Sequence, residues 1–157
     1  MMNKQKLYDS VDKNAEKITA LSDAIWDFSE LSMKEYKSAA YYCDLLEQEG
    51  FRVERKLCGI PTAFSGSFGS GKPRIGILGE FDALSGLDQC PGSTKRESLN
   101  PGGNGQGCGH NLLGAGCYAA AVALKDYLVK EQKDGTVIFF GCPAEEGAGS
   151  KQSVSYT

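Results

Sequence analysis

The 157-residue chain has a single histidine, His110, and none of its six cysteines forms a C-x-x-C pair. A zinc ribbon or a thioredoxin-type redox site depends on that spacing, so neither is supported. A basic stripe is also missing, because 17 Lys and Arg stand against 20 Asp and Glu for a net charge of -3. Nucleic-acid binding draws on clustered cations facing phosphates, so this balance argues against it. Residues 1–17 are polar and charged, without the apolar run of a signal peptide. No segment approaches the ~20 apolar residues expected of a membrane span. These absences predict a cytoplasmic protein with neither a membrane nor a nucleic-acid partner. They also favour reduced cysteines over a disulfide scaffold.

What is present is enough for one domain, since a chain of this length buries about 70% of its unfolded surface. Apolar residues Val11, Ile18, Leu21, Ile25, Phe28 and Leu31 recur at helical spacing and predict one helix over residues 11–31. A second helix is expected over residues 34–49, with Ala39, Tyr42, Leu45 and Leu46 inward and Gly50 as its stop. Alternation over residues 51–57 and 62–68 predicts an antiparallel hairpin at a sheet edge. Residues 66–72 match the phosphate-loop spacing G-x-x-x-x-G-K, but Pro73 replaces the magnesium-binding hydroxyl and a strand follows where a helix is required. A turn between strands is the better reading.

Residues 75–78 form an apolar run that predicts a buried strand ending in Glu80-Phe81-Asp82. A helix is expected from Leu112 to about Glu131, with Asn111 as N-cap and Leu113, Cys117, Ala121, Leu124 and Leu128 along one face. The run 136–141 predicts a second buried strand, followed by Cys142-Pro143-Ala144-Glu145-Glu146. Strand, helix and strand in this order form a parallel crossover.

Residues 105–116, GQGCGHNLLGAG, place Cys108 and His110 two apart in a glycine-rich loop before the crossover helix. Thiolate and imidazole are preferred zinc donors, so this loop reads as a metal site. It reads equally as a tight turn with Cys108 packed as a small apolar residue. Asp82 alone is a turn former, and Glu145-Glu146 alone is a solvated acidic turn. The crossover, however, brings Asp82, Cys108, His110, Glu145 and Glu146 to one carboxyl edge of the sheet. The helix N-terminus there is expected to favour the Cys108 thiolate. Cys108, His110 and one glutamate then make a three-ligand site with room for water, and the other glutamate can accept that water's proton. Cys108 as a nucleophile with His110 as its base is disfavoured, because neighbours two apart rarely achieve the geometry.

The motifs G-E-F-D-A-L (residues 79–84), G-C-G-H-N-L-L-G (107–114) and P-A-E-E-G (143–147), in this order, resemble the zinc-peptidase superfamily of aminoacylases and carboxypeptidases. They are most similar to the amidohydrolase branch that includes aminobenzoyl-glutamate hydrolase. The resemblance implies an α/β fold, a partial three-layer α/β/α sandwich with a mixed sheet. It implies Cys108, His110 and Glu146 as metal ligands, the thiolate bridging two ions of zinc or manganese. It further implies Glu145 as general base, with Asp82 and Asn111 in support. The reaction implied is metal-assisted hydrolysis of the amide in an N-acyl amino acid or dipeptide-like substrate. Family members are commonly homo-oligomers or paired subunits with an inserted dimerisation domain and further histidine ligands, which this sequence lacks. The expectation is therefore the N-terminal portion of a catalytic domain over residues 1–151 with a polar tail at 152–157. It is either part of an active hydrolase or a non-catalytic truncated remnant that at most binds metal or a partner.

Overall fold

The computed structural model describes residues 4–155; its helices and strands lie near the positions the hydrophobic periodicity predicts, but the run 75–78, expected to be a buried strand, is an edge strand with Ile75 40% exposed. The first helical stretch is divided into α1 (Lys4–Lys13) and α2 (Ala15–Phe28) rather than continuous. Asn14 causes the break: its side-chain amide donates to the Ser10 carbonyl at 2.8 Å, and its own N–H bonds to Val11 at 3.0 Å in a tighter turn. A side chain that competes for helix carbonyls in this way favours helix ends over interiors. α3 (Tyr36–Gln48) follows. Its first free amides are met by Glu30, whose carboxylate accepts from the N–H of Lys37 and from both the N–H and hydroxyl of Ser38.

The sheet has four strands, β1 (Arg52–Arg55), β2 (Phe64–Ser70), β3 (Arg74–Gly79) and β4 (Gly135–Gly141), in the order β1-β2-β4-β3. β1 and β2 form the expected antiparallel hairpin at one edge, and the turn after β2 replaces any phosphate loop. β4 pairs antiparallel with β2 and parallel with β3, so the sheet is mixed. The crossover helix α4 (His110–Lys130) joins the two parallel strands. It starts two residues before the predicted point, with Gly109 at φ 81° as its N-cap, so Asn111 lies inside the first turn instead of capping it.

Strand pleating sends alternate residues to opposite faces. On one face Val137 and Phe139 meet Leu21 and Ile25 of α2, Leu46 of α3 and Tyr118 and Val122 of α4. Tyr42, Phe64, Phe81 and Phe139 form the centre, with ring centroids 5.6 to 6.1 Å apart. A Cβ at Gly141 would fall on the Phe64 ring. Gly141→Ala is therefore expected to overpack this stack and cost about 1–3 kcal/mol, read as a lower Tm in thermal unfolding. The other face carries a smaller cluster of Leu57, Ala63, Cys142 and Val154 against Leu78 and Phe140. Part of the predicted polar tail contributes to it. Lys151–Ser155 form a short helix, α5, with Val154 fully buried, and residues 156 and 157 lie outside the described ones.

α4 is long and apolar enough to cross a membrane by length and composition, contrary to the expectation that no segment approaches this. It is instead the central core helix, packed on β3, β4, α1 and α2. The small-residue face works as expected at Gly114, where a Cβ would collide with the Tyr42 hydroxyl and the Glu80 carbonyl. Leu113, placed on the buried face by its spacing, is 44% exposed beside the loop that carries Cys108.

Candidate metal centre

Because β3 and β4 run parallel, their carboxyl ends and the N-terminus of α4 meet at one edge. Glu80 and Asp82 follow β3, Cys108 and His110 open α4, and Glu145 and Glu146 follow β4. His110 is the hub, and it is buried. Its Nδ1 lies 3.0 Å from both the Asp82 carbonyl oxygen and Asp82 Oδ1. A hydrogen on Nδ1 satisfies these acceptors and leaves Nε2 free to coordinate. Nε2 lies 3.1 Å from Glu80 Oε2, 3.7 Å from Glu145 Oε2 and 3.8 Å from Glu146 Oε1. The donor atoms of Cys108, His110 and Glu146 all fall within 4.8 Å of one another, as do those of Glu80, His110 and Glu145.

Asp82 braces both sides of this edge. Its Oδ2 accepts from the Ser32 hydroxyl at 2.7 Å and from the Glu146 N–H at 3.0 Å. Burial pushes its carboxyl up, but the bonds from His110, Ser32 and Glu146 outweigh burial and hold its pKa below the usual carboxylate range. The hydrogen bond to Asp82 raises His110 above its ordinary value against the opposing effect of burial. Cys108 is also raised, first by its hydrogen bond to the Glu146 side chain, then by burial and by the charges of Glu146, Glu145 and Glu80. This corrects the expectation of a helix-stabilised thiolate: the carboxylates prevail over the helix terminus, and a cation among them is what the thiolate requires.

Asn111 does not cap α4. Its backbone N–H donates to Gln106 Oε1 at 3.2 Å and its side-chain amide to the Ser22 hydroxyl at 3.0 Å, tying the metal loop to α2. Sequence reasoning missed Lys151, which forms an ion pair with Glu80 and lies 3.7 Å from Glu145 Oε1. It also gave Glu80, Ser32 and Gln106 no role. Among the described residues no hydrogen bond joins Cys108 to His110.

The mixed α/β sheet thus gathers thiolate, imidazole and carboxylate donors at its carboxyl edge, an arrangement able to hold a divalent ion. The comparisons with known proteins agree. No family model matches the chain. It is 47% identical over 143 residues to a subunit of the p-aminobenzoyl-glutamate hydrolase of Escherichia coli, covering 91% of this chain and 30% of that protein. It is 30% identical over 161 residues to the Xaa-Arg dipeptidase of Mus musculus, covering 94% of this chain and 33% of the relative. Among solved structures, a candidate aminohydrolase from methicillin-resistant Staphylococcus aureus superposes with a TM-score of 0.79 at 26% identity, covering 99% of this chain and 39% of the other. A Bacillus subtilis dinuclear metal-binding peptidase of the M20 family shares the fold, with a TM-score of 0.73 at 22% identity over 90% of this chain and 38% of the other. The chain spans about a third of the length of the curated relatives it matches. The resemblance read from its three motifs holds: the chain is related to aminobenzoyl-glutamate hydrolase and has the fold of M20-type metallopeptidases.

Proposed function

We propose that this chain forms the metal-binding part of a divalent-metal-dependent amidohydrolase that cleaves N-acyl amino acids or dipeptide-like substrates such as aminobenzoyl-glutamate. The observation that carries the reading is the convergence of the Cys108, His110 and Glu146 donor atoms within 4.8 Å, with Glu145 beside them. The donors fit a single ion. His110 offers one free nitrogen, so the two donor groups that share it are alternatives, and the described residues offer donors for one metal position. Thiolate and imidazole together suit zinc better than manganese. When bound, the ion would polarise the substrate carbonyl and lower the pKa of water.

The chain's own residues supply the rest. Cys108, His110 and Glu146 hold the cation, and Asp82 keeps the hydrogen of His110 on Nδ1. Glu145, partly exposed at 34%, would accept a proton from water and pass it to the departing amine. The E. coli relative is one subunit of a hydrolase, which supports a paired assembly with a further chain. Six free cysteines support a reducing, cytoplasmic location.

The test is zinc-dependent hydrolysis of aminobenzoyl-glutamate and of N-acyl amino acids by the purified chain. Activity that Glu145→Gln abolishes without lowering zinc content supports the reading, and activity that survives the substitution contradicts it. The second reading is metal binding without turnover. It is favoured by the Lys151 ammonium lying between Glu80 and Glu145. Bound zinc with no hydrolysis selects it.

Coordination must displace protons from both raised groups. Below the raised His110 pKa each ion releases about two protons, from His110 and Cys108; above it and below the Cys108 pKa it releases about one. Zinc affinity is therefore expected to rise roughly 100-fold per pH unit in the first window and roughly tenfold in the second. Calorimetry in buffers of different ionisation enthalpy counts these protons, and a pH-independent affinity would contradict the ligand set.

A further inference from the structure

We propose that Glu35 is a positioning residue: its buried carboxylate holds the backbone of the Ala144–Glu146 turn and so aims Glu145 and Glu146 at the metal centre. The inference rests on the functional reading above for the roles of those two glutamates, but the contacts that carry it do not.

Glu35 precedes α3 and is completely buried. A carboxylate in that position is costly unless its oxygens are bonded. Oε1 accepts from the N–H of Met33 at 2.9 Å and from the N–H of Ala144 at 2.8 Å, while Oε2 accepts from the Thr62 hydroxyl at 2.9 Å. The Ala144 bond spans 109 residues of sequence and reaches the segment that bears the site glutamates. Capping of α3 does not explain Glu35, because Glu30 already performs it.

Ala144 itself is held in a left-handed conformation, φ 56°, which is unfavourable for a residue with a Cβ and persists only where the surroundings impose it. Its carbonyl accepts from the N–H of Ala148 at 3.0 Å and of Gly149 at 2.9 Å, closing the turn, while its own N–H is taken by Glu35. Two residues on, the N–H of Glu146 is taken by Asp82. Glu145 thus sits between two amides, each anchored on a buried carboxylate. The segment around Glu35 touches the other anchor too: the Ser32 hydroxyl donates to Asp82, and the Ala83 N–H donates to the Glu30 carbonyl at 2.8 Å. Residues 30–35 therefore bridge the β3 and β4 sides of the site from beneath. A small misplacement at such a turn is enough to spoil catalytic geometry.

The experiment compares Glu35→Ala, Glu35→Asp and Glu35→Gln with Leu128→Ala, a destabilised control on the same core far along α4. Hydrogen exchange at the Ala144, Ala148 and Gly149 amides is followed by NMR in the metal-free protein, and zinc affinity by chelator competition. Glu35→Ala is expected to speed exchange across this turn at least tenfold beyond the control and to weaken zinc about 10–100-fold, the usual loss for a group that orients a ligand. Gln keeps an acceptor for both amides and can donate to Thr62, so Glu35→Gln is expected to stay within about threefold of wild type in both readouts. Glu35→Asp keeps the charge but shortens the arm and is expected to loosen the turn; it carries the test if the alanine variant does not fold. Exchange at residues 144–149 no faster than in the control would overturn the proposal, as would equal losses for Gln and Ala. A wild-type chain that binds no zinc would defeat the proposed function alone, since the exchange readout still decides whether Glu35 holds the turn.

Discussion

Cys108→Ser is expected to lower zinc affinity by at least about 100-fold. Outer groups that merely orient a ligand are worth about 10–100-fold in metal affinity, and loss of a direct ligand exceeds that. Serine is nearly isosteric but does not supply a thiolate, the donor that best suits zinc beside imidazole and carboxylate. The effect separates cleanly from folding. Cys108 is exposed, and its side-chain hydrogen bond is to Glu146, itself on the surface of the turn. Unfolding of the metal-free variant should match wild type within about 0.5 kcal/mol, as for other surface substitutions. With cobalt in place of zinc, the sulfur-to-metal charge-transfer band should vanish in the serine variant. Wild-type zinc affinity in Cys108→Ser would remove Cys108 from the ligand set.

Asp82→Ala is expected to have the largest effect on stability, about 3–5 kcal/mol, because it strips a buried charge partner from several donors together. Asp82 is 1% exposed, and its loss leaves His110 Nδ1, the Ser32 hydroxyl and the Glu146 N–H without their acceptor. The cost has a predictable pH profile in the metal-free protein. Asp82 has a lowered pKa in the fold, so its contribution is complete above its ordinary value of 3.8 and fades as pH falls through the lowered one. His110 has a raised pKa, so its contribution is complete below its ordinary value of 6.5 and fades as pH rises through the raised one. The gap between wild type and Asp82→Ala should therefore be widest between these two ordinary values and narrow on either side. Urea unfolding at a series of pH values reads this directly. A flat difference below about 1 kcal/mol would show that the pair does not stabilise the edge.

The site was legible where its chemistry follows from local pattern. Two apolar strands, a small-residue helix between them and carboxylates after each strand are enough to place Asp82, Cys108, His110, Glu145 and Glu146 at one edge, and the distances agree. The mixed sheet followed from the same crossover together with the alternating hairpin before it. What escaped was set by contacts distant in sequence. Glu35 lay inside a predicted helix, where a glutamate reads as a solvated surface group, yet its carboxylate is bonded to Thr62 and Ala144. Asn111 has the composition of an N-cap, but Gly109 takes that position and frees the Asn111 amide to reach Ser22. Leu113 fitted the apolar spacing of α4 and is nonetheless exposed, because the helix end there borders the metal loop rather than the core. The Cys108 pKa was misjudged because the helix N-terminus is visible in sequence, whereas the convergence of Glu80, Glu145 and Glu146 appears only after folding.

The proposed site for one divalent ion stands or falls on whether Cys108, His110 and Glu146 hold metal. The most direct measurement is zinc per chain by elemental analysis, on protein purified under reducing conditions and dialysed against zinc-free buffer at neutral pH. Close to one ion per chain is expected in the wild type and essentially none in Cys108→Ser and His110→Ala. A wild-type chain without stoichiometric metal, or variants that retain it, would show that these three residues do not form the site.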